Sequence, residues 1–243
     1  MKNEWKKWIA LLKYGHRFRF QFILALCFFA GGLAMQIGSV YFAASAVLTG
    51  TDSEAAFFLQ SLSIGTLLTV CAAAMPAQIL LSLDVSLLAQ ASPYKKRLQS
   101  GIFTTVSCTL SLICLTILLI IVRTAAAAVP VIRNYLSQGF LISGFIAAAM
   151  LICWPIMYKY YMASLAIIFS AAFLGGMSSV LLIVAEGDTI AILDYHLPSS
   201  PLVCILLAYI AVLAASAVSH IITQALYKKP FSKHVFGIMM KEL

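Results

Sequence analysis

The chain has 243 residues, of which 63% are apolar and 10% charged, with a mean hydropathy of +1.01. Soluble domains carry roughly 25% charged residues, so a soluble globular fold is excluded. Sixteen Lys and Arg against eight Asp and Glu give a formal charge of +8, an excess that membrane topology explains better than nucleic-acid binding does.

Residues 1–19 place Trp5, Trp8, Ile9 and Leu12 on one helical face and Lys6, Lys13 and Arg17 on its flank. An interfacial amphipathic helix is expected, its apolar face at the acyl boundary and its cations on anionic inner-leaflet phosphates. Topology anchoring and a mechanical role both fit it.

Apolar stretches of the length that crosses a bilayer, about 20 residues, follow at 20–48, 57–83, 101–122, 139–157, 162–184 and 202–227. The expected fold is therefore an all-α integral membrane protein: six transmembrane helices over 20–227 and a cytoplasmic tail at 228–243. The longest piece outside the spans is 1–19, far short of the roughly 50 residues of an independent domain. Small residues Ala44-Ser45-Ala46 resemble a cleavage site, but the apolar run before them is about 25 residues, against about 7–15 for a signal peptide, so an uncleaved span is expected.

In the first span Ala30, Ala34 and Gly38 recur every fourth residue, the small-residue spacing that lets helix backbones approach. Close packing is expected there, against another span or a second subunit. Pro76 and Pro155 interrupt the second and fourth spans and are expected to kink them. Gly175-Gly176 is a similar weak point in the fifth.

The connection 84–100, DVSLLAQASPYKKRLQS, combines an apolar Leu87-Leu88 face with Pro93 and the cluster Lys95-Lys96-Arg97. A stop-transfer cluster alone needs no such face. Its extra length fits a docking element or a plain linker.

Hydroxyl, amide and imidazole groups form helical stripes: Thr104, Ser107 and Ser111 in the third span, and Ser216, Ser219, His220, Thr223 and Gln224 in the sixth. Such groups glue helices together at about 0.6–2 kcal/mol each. Ser216, Ser219, His220 and Thr223 also make a candidate for a mildly polar substrate path. The connection 185–201 holds Glu186, Asp188, Asp194 and His196, a candidate metal constellation whose loose spacing favours a solvated acidic loop instead, and its apolar Ile190, Ala191, Ile192 and Leu193 suggest a short dip into the interface. All six cysteines, Cys27, Cys71, Cys108, Cys114, Cys153 and Cys204, fall within spans and are expected to pack as small apolar residues.

With both termini in the cytoplasm, the inner side holds Lys2, Lys6, Lys7, Lys13, Arg17, Arg19, Lys95, Lys96, Arg97, Lys159, Lys228, Lys229, Lys233 and Lys241. That is 14 of the 16 cations. Only Arg123 and Arg133 remain outside, with Asp52, Glu54, Glu186, Asp188 and Asp194. The positive-inside bias thus sets a multi-pass cell-membrane orientation with both ends inside.

No Asp, Glu, Lys or Arg lies deep within a span, which disfavours an ion-coupled carrier or pump. Ser178 and His220 do not form a proteolytic dyad, because their depths differ by roughly 18 Å at 1.5 Å per residue and hydrogen-bond reach is about 3 Å. No carboxylate reaches the core for a glutamate-based protease. The chain also has no GxxxxGK[ST] phosphate loop. No catalytic residue, metal or cofactor is expected in it.

The amphipathic amino-terminal helix, six spans, the first inner connection with SPYKKRLQ and a short helical dip before the last span together resemble the permease subunits of type-2 ATP-binding-cassette (ABC) exporters. The resemblance covers nearly the whole chain, mainly as architecture. It implies a separate ATPase subunit that binds and hydrolyses ATP, and a second permease subunit, identical or different, with the substrate path between the two. Anionic lipid is a further partner, whereas nucleic acid is not. Carried over, the ATPase-coupling residues are Leu87, Leu88, Tyr94, Lys95, Lys96 and Arg97. The second inner connection, Tyr158-Lys159-Tyr160-Tyr161, is very short, so the first must carry most of any coupling. The alternative is a non-transporting membrane scaffold or assembly subunit.

Overall fold

A computed structural model describes residues 18–49, 61–73, 97–130, 133–159, 183–186, 189–192 and 195–229. Their helices are α1 (Phe18–Thr49), α2 (Ser61–Ala73), α3 (Phe103–Ala128), α4 (Arg133–Lys159) and α5 (Pro201–Leu226), and a π-helical segment, Arg97–Ile102, leads into α3. Four of them carry stretches long and apolar enough to cross a membrane: Phe22–Phe42, Ser100–Ala128, Arg133–Ile156 and Pro201–Leu226. These match the first, third, fourth and sixth expected spans. α2 is a shorter apolar helix inside the second. The amphipathic segment before Phe18, Pro76 and Gly175-Gly176 lie outside the described residues.

Why these segments are helices follows from composition more than from pattern. α1 is apolar on every side, as a helix surrounded by lipid and protein must be, and Ile23, Leu26, Ile37 and Tyr41 stay exposed along its length. α5 begins with Pro201, whose missing N–H and fixed φ suit the first helical position. Its outward side exposes Leu202, Leu206, Ile210, Leu213 and Ile221. The inward side carries Cys204, Ala208, Val212, Ala215, Ser219 and Thr223, all buried.

That small-residue face of α5 packs against α4 in a parallel pair. A Cβ added to Gly144 would sit 2.6 Å from the Ala208 Cβ, so the two backbones meet at van der Waals contact. Lipid offers no hydrophobic drive for such an association; dispersion and shape supply it. Around this crossing lie Leu136, Phe140, Leu141, Ala147, Leu151 and Trp154 from α4, with the Phe140 and Tyr209 rings 6.2 Å apart. α3 closes the core with Phe103, Leu115, Leu118 and Val122.

α1 and α2 cross at Gly32 and Gly65. A Cβ on Gly32 would lie 2.7 Å from the Gly65 carbonyl oxygen, and one on Gly65 would lie 2.9 Å from the Gly32 oxygen. The expected Ala30/Ala34/Gly38 stripe is not this surface: Ala30 and Ala34 are exposed, and a Cβ on Gly38 meets nothing within 4 Å. The reason is polar. Gln36 and Ser39 need partners inside the protein, and at 100° per residue their face carries Gly32, whereas Ala30 and Ala34 lie to one side.

Residues 183–196 also depart from expectation. Ile183–Glu186 (β1), Thr189–Ile192 (β2) and Tyr195–His196 (β3) form an antiparallel sheet in the order β1-β2-β3, with Ile183 opposite Ile192 and Ala191 opposite His196. The short dip, helical in the exporter resemblance, is therefore replaced by strand over Thr189–Ile192, and the fifth expected span gives way to strand at Ile183. Ile183, Val184, Ile190 and Ile192 are β-branched, and the pairing of Glu186 with Thr189 leaves Gly187-Asp188 between the strands, a dipeptide type suited to a two-residue hairpin.

Candidate functional site

Polar side chains gather at three depths of the bundle. At the end where α3 begins, Thr104 Oγ1 donates to the Ser100 carbonyl at 2.7 Å and lies 3.2 Å from His220 Nδ1. The other ring nitrogen, Nε2, lies 2.8 Å from Gln224 Nε2. Thr104 commits its own proton to Ser100, so it can accept from the His220 ring, and the Gln224 amide can bond the other ring nitrogen. One chain of hydrogen bonds thus ties α5 through α3 to the π-helical segment.

Of the expected path residues, Ser219 and Thr223 are buried, and the Thr223 hydroxyl shares its proton between the Ser219 and His220 carbonyls. Ser216 and His220 are half-buried. The structure brings His220 to Thr104 and turns Ser219 and Thr223 into the helix interface. Among the coupling residues, Leu87, Leu88, Tyr94, Lys95 and Lys96 lie outside the described residues, and Arg97 opens the π-helical segment, which packs against α3 and α5.

The middle depth holds a seam between α1, α2 and α4. Gln36, 1% exposed, donates through Nε2 to Thr66 Oγ1 and Thr69 Oγ1 at 3.4 Å each. Thr66 Oγ1 in turn donates to the Leu62 carbonyl at 2.9 Å and lies 3.0 Å from Ser143 Oγ. Ser39 Oγ lies 2.6 Å from Ser61 Oγ. Beside this seam Ser107 Oγ and Trp154 Nε1 are buried without a hydrogen-bond partner, and both residues line a cavity of about 10 Å³, close to the smallest volume that holds one water. Gln36 was not singled out in the sequence. An amide midway along a 32-residue, largely apolar helix was the available signal, because an amide among lipid tails must find a protein partner.

The third depth is the opposite end, where α3 finishes and α4 and α5 begin. A cavity of about 350 Å³ opens there, walled by Leu119, Val122, Phe140 and Ile205 and carrying Arg123 and Arg133. Both arginines are exposed. Nearby, the buried Gln138 donates to the Leu197 and Pro198 carbonyls at 3.4 Å, and Cys204 Sγ to the Pro198 carbonyl at 3.1 Å, which pins the start of α5 to α4.

Among the described residues no group of three or more His, Cys, Asp or Glu could hold a metal ion. All six cysteines are free thiols, Cys204 buried and Cys27 exposed. Comparison of the chain with protein-family models, with curated proteins and with solved structures finds no match.

Proposed function

We propose that this chain is the membrane-spanning permease subunit of an ABC-type exporter, with both termini in the cytoplasm and ATP hydrolysed on a separate ATPase subunit. A second permease subunit completes the substrate path. The observation that carries the reading is the connection 84–100, whose Leu87-Leu88 face and Lys95-Lys96-Arg97 cluster run directly into the π-helical segment Arg97–Ile102. That segment packs against α3 and α5, and Thr104 and His220 link the same helices. A force applied to the connection therefore reaches two helices at once, which is what coupling to a partner ATPase requires.

Six spans agree with the path of the chain. By Leu197 the chain is back beside Gln138, although α4 carried it on to Lys159, about 32 Å further at 1.5 Å per residue. The apolar stretch 162–184 is long enough to make that return. The end bearing Arg123 and Arg133 then faces outward, and the end bearing Arg97, Lys159, Lys228 and Lys229 faces inward, in accord with the positive-inside bias.

The test is co-purification from native membranes. A tagged chain should recover a nucleotide-binding ATPase, and the double change Leu87→Ser, Leu88→Ser should reduce that recovery at unchanged membrane abundance, since buried apolar contacts dominate such interfaces. Recovery of membrane proteins without an ATPase would favour the scaffold reading.

A further inference from the structure

The cavity at the Arg123 end has a chemistry that transporter coupling does not use. Its volume of about 350 Å³ falls in the range of small-molecule sites, roughly 300–1,000 Å³. Among the described residues, Arg123 and Arg133 are the only charged ones on its wall, and no carboxylate lines it. Among the described residues neither guanidinium forms an ion pair. The first residues of α4 and α5, Arg133 and Pro201, line the cavity together with the last turn of α3, so two helix amino termini and one carboxyl terminus meet there and leave a net partial positive charge.

Two guanidiniums on one cavity wall, neither with an ion-pair partner among the described residues, suit a phosphate, which each can grip through paired N–H donors. The remaining wall is carbon: Leu119, Val122, Phe140 and Ile205. Beside it Ile120, Leu202 and Leu206 are exposed along the lipid-facing surface. A free anion would leave this apolar wall unused. We infer that the cavity binds a phosphate-headed amphiphile, its head between Arg123 and Arg133 and its chain along the apolar wall toward Leu202 and Leu206. The inference goes beyond the exporter reading and does not depend on it.

Binding can be measured by native mass spectrometry of the purified chain in a neutral detergent, titrated with lysophosphatidic acid, with lysophosphatidylcholine, and with lysophosphatidic acid plus millimolar inorganic phosphate. One lysophosphatidic acid per chain should bind, the zwitterion should bind weakly, and inorganic phosphate should not displace the lipid. Arg123→Gln and Arg133→Gln should each weaken binding roughly tenfold or more, as loss of a charged hydrogen-bond partner does. Ala126→Phe, which fills the cavity and keeps both charges, should weaken it as well. Both arginines are exposed, so thermal midpoints of the arginine variants should match the parent and show intact folding. Equal binding of the two lipids, displacement by inorganic phosphate, or undiminished binding in the arginine variants would each overturn the assignment.

Discussion

Thr66 is the hub of the polar seam, since its single hydroxyl meets Gln36, Ser143 and the Leu62 carbonyl. Thr66→Val keeps the shape and removes the hydroxyl, leaving Gln36 Nε2 and Ser143 with one partner fewer in a site that water does not reach. Interhelical polar contacts in membranes contribute about 0.6–2 kcal/mol, so a loss of about 1 kcal/mol is expected in a detergent-unfolding titration. Ser107 is the converse. Its buried Oγ has no partner, and deleting an unpaired hydroxyl removes a desolvation penalty and no bond. Ser107→Ala should therefore lie within about 0.5 kcal/mol of the parent in the same titration. A cost above about 1 kcal/mol would mean that Ser107 makes a hydrogen bond of ordinary strength.

Helix crossings concentrate the packing energy at a few glycines. Gly144→Val drives a branched side chain into Ala208, whose Cβ already lies 2.6 Å from where a Gly144 Cβ would be and whose Cα lies 2.8 Å from it. Overpacking of this kind costs about 1–3 kcal/mol, and the α4–α5 pair should loosen. Gly38→Ala is the contrasting case: its Cβ meets nothing within 4 Å, and alanine is favoured over glycine in a helix by about 1 kcal/mol. It should leave stability unchanged or raise it, as thermal unfolding in detergent can show. Spacing alone could not tell Gly32 from Gly38, because every side of α1 is apolar and no periodicity marks the inner face. What separates them is Gln36 and Ser39, polar residues that must turn toward α2. The strands within 183–196 carry a different and ambiguous signal. β-branched residues around Gly187-Asp188 mark a hairpin, but the apolar run Ile190–Leu193 also fits a buried helical turn, and runs this short leave the two indistinguishable.

At the scale of the whole molecule, hydropathy made the membrane-spanning class plain, and four of the six expected spans coincide with long apolar helices. The small-residue face of α5 and the Thr104–His220 pair depend on tertiary contacts between residues 116 positions apart, which no local pattern encodes. The cavity at the Arg123 end is different. Arg123 and Arg133 are ten positions apart and share one cavity because α3 finishes where α4 begins, whereas Pro201 and Ile205 reach its wall only because α5 starts at the same end. Orientation itself is open to cysteine-accessibility labelling in a cysteine-free background: a cysteine at Ser53 should react from the outside, and reaction from the cytoplasmic side alone would reverse the topology. The purified chain on its own should hydrolyse no ATP, since its sequence has no GxxxxGK[ST] phosphate loop. The most direct measurement is affinity purification of the tagged chain from its native membranes with identification of stoichiometric partners. The exporter account predicts a nucleotide-binding ATPase that is depleted when Leu87 and Leu88 are changed to Ser. Purification without any ATPase, or with one whose recovery ignores those two residues, would contradict it.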